Sequence, residues 1–230
     1  MQLKWTGLLA GVLVVATAGS AAAQRSVAFT PYFGYLSPMG SLVEQNSPGT
    51  SGCCLEVSSS GGLMVGAIGE MSLAKSLSIS AFAASTIGLS QKATFDYSSL
   101  GGSVLELGMA TTQFGGTLRV LPLGRSPSGA PKTLFLEAGA AYEFLAFSDV
   151  NDKSGTTAKS WNSQGGIGIV GAGLVFPVGR RASLTIFGRY HVPFAEYSSD
   201  GLTEWNSVPP PDTPKKVPSF LIGVGLRTGR

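Results

Sequence analysis

From about Ser26 onward, apolar residues alternate with small or polar ones in short stretches bounded by turn formers. Alternation with period two sends successive side chains to opposite faces of a strand. Eight stretches qualify: Ser26–Leu36, Gly62–Leu73, Leu77–Gly88, Thr111–Leu121, Thr133–Phe147, Gln164–Phe176, Ala182–Phe194 and Ser219–Thr228. The fifth is the clearest, with Leu134, Leu136, Ala138, Ala140, Tyr142 and Phe144 on one face and Phe135, Glu137, Gly139, Ala141 and Glu143 on the other. In the eighth, Phe220, Ile222, Val224 and Leu226 oppose Gly223, Gly225 and Arg227, and Leu221 breaks the inner face. The sixth is Gly-rich and its facing is ambiguous. Helix competes poorly, because glycine recurs within the stretches at a cost of about 1 kcal/mol per site and the apolar residues do not repeat at 3.6.

The connections have a rhythm of their own. Long ones (Ser37–Gly61, Leu89–Ala110, Ser148–Ser163, Ala195–Pro218) alternate with the short Ala74–Ser76 and Pro177–Arg181 and the middling Pro122–Lys132. A closed barrel across a membrane has this asymmetry, with short turns on the inner side and long loops outside. A soluble sandwich has no reason to gather its long loops at one end.

Composition narrows the class. Charged residues make up only 13% of the 230, with 32 glycines, so the chain is neither a disordered polyelectrolyte nor a nucleic-acid binder; its net charge of +3 comes without any Lys/Arg run. Lys4, the apolar run Leu8–Ala16 and the small residues Ser20–Ala23 read as a secretory signal peptide over residues 1–23, leaving 24–230 as a single barrel domain. Beyond it no apolar run reaches the length of a transmembrane helix. A mature chain residing in lipid must then do so as a closed barrel, since only helices and closed barrels satisfy their own backbone there.

The signal peptide, the opening strand Val27–Gly40, the loop rhythm and the amphipathic final strand together resemble the small eight-stranded outer-membrane barrels of the outer-membrane protein A and X type. The resemblance implies an all-β, eight-stranded antiparallel up-and-down transmembrane barrel in the bacterial outer membrane. It also implies a monomer in contact with outer-membrane lipid, with long loops available to an extracellular ligand, and no cofactor. Such barrels end on an aromatic residue that aids assembly, whereas this chain ends Leu226-Arg227-Thr228-Gly229-Arg230.

Strand phase puts Glu70, Arg119, Glu137, Glu143, Arg189, His191 and Arg227 on the inner face. An eight-stranded lumen is just wide enough to be filled by side chains, so charges there must pair. The expectation is a charge layer near the inner turns, built from Arg119 and Glu137 with Glu70 or Arg227 nearby; a polar path or gate is the alternative. His191 is the sole histidine. Small outer-membrane lipid hydrolases carry a Ser two residues after their catalytic His, and Pro193 occupies that position here, so no catalytic residue is assigned. Cys53 and Cys54 are adjacent in the first long loop and form a vicinal disulfide, a link to another chain, or two free thiols. No phosphate-loop, zinc-protease or EF-hand spacing is present, and no metal site is assigned. Aromatic residues gather toward the outer ends, as an interfacial girdle requires: Tyr35, Tyr142, Phe144, Phe147, Trp161, Tyr190, Phe194 and Tyr197.

Three functions follow: a non-enzymatic envelope component that binds through its loops, a narrow pore or small-ligand carrier, and a lipid-modifying enzyme. A soluble lipocalin-like barrel would need the opposite facing, with Leu136 inside and Glu137 outside.

Overall fold

The computed structural model describes residues 26–45, 55–87, 91–96, 104–126, 130–147, 150–151, 157–158, 162–179, 182–194, 198–200 and 217–229. The signal-peptide segment, Cys53, Cys54, Trp161, Tyr197, Trp205 and the run Pro209–Pro211 lie outside them. The strands are β1 (Val27–Pro38), β2 (Ser41–Gln45), β3 (Leu55–Ser59), β4 (Gly62–Ala74), β5 (Leu77–Thr86), β6 (Gln91–Asp96) and β7 (Val104–Val120). They continue with β8 (Thr133–Phe147), β9 (Val150–Asn151), β10 (Thr157–Ala158), β11 (Asn162–Pro177), β12 (Ala182–Pro193), β13 (Ser198–Asp200) and β14 (Ser219–Gly229).

Eight of these form a closed antiparallel barrel in the order β1-β4-β5-β7-β8-β11-β12-β14, and β14 returns to β1 through pairs such as Val224↔Phe33. Closure leaves no strand edge along the wall, which is what hydrocarbon requires. The β4–β5, β7–β8 and β11–β12 connections are short and share one end with the start of β1 and the end of β14. The other end holds the long connections. They are not wholly irregular: β2, β3 and β6 pair in sequence with the first residues of β7, and β13 pairs with the start of β11. β7 accordingly begins at Val104, seven residues before the alternation suggests. Segments of five or six residues carry too little periodicity to be read alone, and it is the tall β7 that gives them an edge to pair with.

Facing settles the environment. Leu136 is 47% exposed while Glu137, its neighbour, is 4% exposed. Phe29, Phe33, Val65, Ile79, Phe114, Leu118, Ile186, Ile222 and Val224 likewise point outward. An apolar exterior around a partly charged interior suits lipid and excludes the soluble carrier. Tyr35, Tyr142, Tyr190 and Phe194 lie on the outer surface, where Phe114, Tyr142 and Phe144 form a cluster with ring centroids 4.9–5.9 Å apart.

The lumen is packed. Leu36, Met64, Ile68, Phe82, Phe135, Phe187 and Leu221 are buried there; Leu221, out of pattern in the sequence, sits opposite Leu36. β11 turns Ile167, Ile169 and Val175 inward and Val170, Leu174 and Phe176 outward. Both faces are apolar, so periodicity could not choose between them. Gly171 shows what does: it pairs with both Glu137 and Arg189, and a Cβ there would stand 3.2 Å from the side chains of each. Only the phase that puts a glycine under this ion pair leaves room for it.

Lumen aromatics use the same device. Phe187 lies across the strand from Gly223, where a Cβ would stand 2.4 Å from the ring, and Phe135 has the same relation to Gly173. Gly223→Val should therefore lower stability by about 1–3 kcal/mol through overpacking. Gly179→Val, where nothing lies within 4 Å, should be near neutral. Urea midpoints of the two variants in detergent check this; equal midpoints would contradict the packing account.

Candidate functional site

Five strands and one turn bring six charged side chains together in the inner half of the lumen. Glu137 on β8 accepts from Arg119 Nε on β7 at 2.9 Å. It also accepts from Arg189 on β12, whose Nε and Nη2 donate at 2.7 and 3.2 Å, and from the Thr117 hydroxyl at 3.1 Å. Arg119 extends its Nη1 to Glu70 on β4 at 3.0 Å, so one guanidinium links both carboxylates. Glu70 also receives Arg125 Nη2 at 2.8 Å and lies 3.6 Å from Arg227 Nη2 on β14. All six side chains are buried, so each charge depends on its partners rather than on water.

The guanidiniums also fill space. Arg189 lies 4.4 Å from the Phe82 ring centroid and 5.1 Å from that of Phe187, while Arg119 lies 4.5 Å from Phe135. Phe187 in turn meets Tyr32 edge to face at 5.1 Å. Arg189 is thus gripped by Glu137 and stacked against two rings. A flat, weakly hydrated cation suits this place better than the ammonium of a lysine would.

Glu143 is inside but belongs elsewhere. Gln113 Nε2 donates to it and lies 3.3 Å from His191 Nδ1, and His191 Nδ1 is 3.2 Å from the Ser219 hydroxyl. A hydrolytic triad requires the acid on one imidazole nitrogen and the nucleophile on the other. Here the hydroxyl and the amide share Nδ1, and Gln113 stands between the imidazole and the carboxylate. His191 Nε2 and Gln113 Oε1 are buried without a hydrogen-bond partner among the described residues.

Strand phase identifies every strand-borne member of the two clusters as inward-facing. It does not find Arg125, which comes from the β7–β8 connection. Gly124, at φ +72°, turns the chain there, and Arg125 bridges to Pro131 and reaches back beneath the lumen. The available signal was an arginine beside a glycine in a connection next to an inner carboxylate, which is weak without the turn geometry. Cys53 and Cys54 lie outside the described residues.

No family model matches the chain, and no curated protein matches it in sequence. Among solved structures it is similar to the outer membrane protein OprG from Pseudomonas aeruginosa, at 13% identity and a TM-score of 0.55, over 89% of this chain and 95% of that one. It is also similar to the outer membrane protein AlkL, solved in lipid bilayers, at 17% identity and a TM-score of 0.54, over 92% of this chain and 94% of that one. The likeness is one of fold. Together with the closed barrel and its apolar exterior, it places the chain in the bacterial outer membrane. The short turns then face the periplasm and the long connections the exterior.

The guanidiniums outnumber the carboxylates in the inner cluster, so the two kinds of deletion should differ. Glu137→Leu takes from Arg189 its carboxylate and leaves Arg119 with Glu70 alone, and should cost about 3–5 kcal/mol. Arg119→Leu should cost less, because Arg189 still holds Glu137 and Arg125 still holds Glu70. Urea unfolding of both variants tests the order; a larger loss for Arg119→Leu would contradict it.

Proposed function

We propose that this chain, a barrel of the small outer-membrane kind, is a non-enzymatic envelope protein with a closed lumen that binds through its outer connections. The observation that carries the reading is the clamp on Arg189, held by Glu137 and stacked between Phe82 and Phe187 across the middle of the lumen. Eight strands leave an interior that side chains fill, whereas open porins use about sixteen to eighteen. The arrangement around His191 supports the absence of hydrolytic chemistry, since its hydroxyl neighbour and its amide neighbour compete for one nitrogen. A barrel that closes on itself needs no second chain, which supports a monomer. The outer connections are long and rest on a rigid wall, the usual situation of binding loops.

A small-ligand carrier is the second reading. It is favoured by His191 Nε2 and Gln113 Oε1, a donor–acceptor site in the lumen that has no partner among the described residues.

Purified mature protein in a planar bilayer should show no large, stable conductance steps. Arg189→Ala, which removes the clamp, should introduce small ones. Large steps from the wild type would refute the closed lumen. For the loops, protein in nanodiscs is applied to a glycan array before and after shortening Ala195–Pro218 or Ser37–Gly61. Binding should fall in at least one shortened variant. If both retain every interaction of the full chain, the outer connections are not the binding part.

A further inference from the structure

We propose that the lumen above the Arg189 clamp, toward its outer end, is a binding site for a small neutral amide, a carboxamide or urea group held by Gln113, His191 and Arg189. This rests on the carrier reading above and names its ligand class. Gln113 on β7 is wholly buried, and its amide is oriented by a neighbour. An ionised carboxylate only accepts, so Glu143 fixes Gln113 Nε2 as the atom that faces it. The same Nε2 lies 3.3 Å from His191 Nδ1 on β12 and has a second hydrogen for that nitrogen. The Ser219 hydroxyl, at 3.2 Å, reaches Nδ1 as well. Nδ1 is therefore the acceptor of the ring, and the ring proton sits on Nε2. What remains is a donor, His191 Nε2, and an acceptor, Gln113 Oε1, neither with a hydrogen-bond partner among the described residues.

A third atom joins them. Arg189 and His191 are next but one on β12, so both side chains enter the lumen from one face of the strand. Arg189 grips Glu137 with Nε and Nη2, which leaves Nη1 on the other side of the guanidinium. That atom too is buried with no partner among the described residues. The wall beside these groups is apolar: Ile169 pairs with His191 and Leu221 with Arg189, and both are buried. A few polar atoms set among apolar side chains is the usual make-up of a small-molecule site.

The chemistry selects the class. Two donors and one acceptor match a group whose carbonyl accepts twice and whose N–H donates once. A primary amide or a urea does this with one planar unit. A carboxylate has no hydrogen for Gln113 Oε1, and an ammonium has no lone pair for the imidazole or the guanidinium. Arg189 is already ion-paired with Glu137, so a neutral ligand leaves that pair undisturbed. The clamp forms the floor of the site. Entry is from the outer end, where Ser219 opens β14 and His191 lies near the end of β12.

The test uses the full mature chain, without a tag, in detergent. His191 is the only histidine, so histidine labelled with the heavy nitrogen isotope gives one Nδ1 and one Nε2 signal. Before any addition the proton should be on Nε2; a proton on Nδ1 would overturn the donor pattern. Acetamide is then titrated, with acetate, methylammonium and glycerol in parallel. The Nε2 signal should shift saturably with acetamide and not with the other three. Gln113→Met, which removes the acceptor, should weaken acetamide by about tenfold or more, the worth of one buried hydrogen bond. Should this variant fail to fold, as judged by heat-modifiable migration, the wild type is titrated with N,N-dimethylacetamide. That molecule keeps the carbonyl and lacks the N–H, and should bind more weakly than acetamide by the same factor. Equal binding of the two amides, or of acetamide and acetate, would overturn the proposal. A shift with glycerol or acetate but not acetamide would overturn the amide class and leave a carrier of another ligand. No shift with any of the four would overturn the site and the carrier reading together.

Discussion

Backbone amides and carbonyls in the wall must find partners within the wall, because lipid offers none. With eight strands, that requirement closes the sheet into a cylinder too narrow for an open pore. Most of what is distinctive here follows from that narrowness. Every inward side chain meets others from across the lumen, so rings need glycines opposite them and charges need partners within a few ångströms. Phe187 over Gly223 and the Glu137–Arg189 pair over Gly171 are two forms of one solution.

The ion pairs in such a lumen are not a simple gain in stability. Removing a charge from water costs several kcal/mol, which a good partner repays only in part. Their value here is better understood as specification. Glu137 receives guanidiniums from two other strands, and Glu70 receives them from two strands and a turn. Each pairing holds only in one strand register, since a shift of one residue would carry the charge to the lipid side. The network thereby ties the phases of β4, β7, β8, β12 and β14 together.

The same economy bears on function. A lumen filled by its own side chains leaves the two ends as the surfaces open to partners, and these ends differ. One is compact; the other is extended by β2, β3, β6 and β13. Orientation and loop length are therefore correlated along a single axis, although the wall between them is nearly uniform in its apolar character.

Period-two alternation by itself determined the eight wall strands, their facing in β1, β7, β8, β12 and β14, and the sidedness of the connections. It could do so because lipid outside and a tight lumen inside impose opposite demands on successive residues. It did not determine the phase of β11, where Ile167, Ile169, Val170 and Leu174 make both faces apolar; the neighbours of Gly171 decided that. Nor could it find β2, β3 and β6, whose order comes from pairing with β7, or Arg125, whose place depends on a turn at Gly124. The inward residues were legible one strand at a time. Which of them meet was decided by the stagger between strands, which brings Arg119 to both Glu70 and Glu137 while leaving Glu143 with Gln113 in a separate cluster.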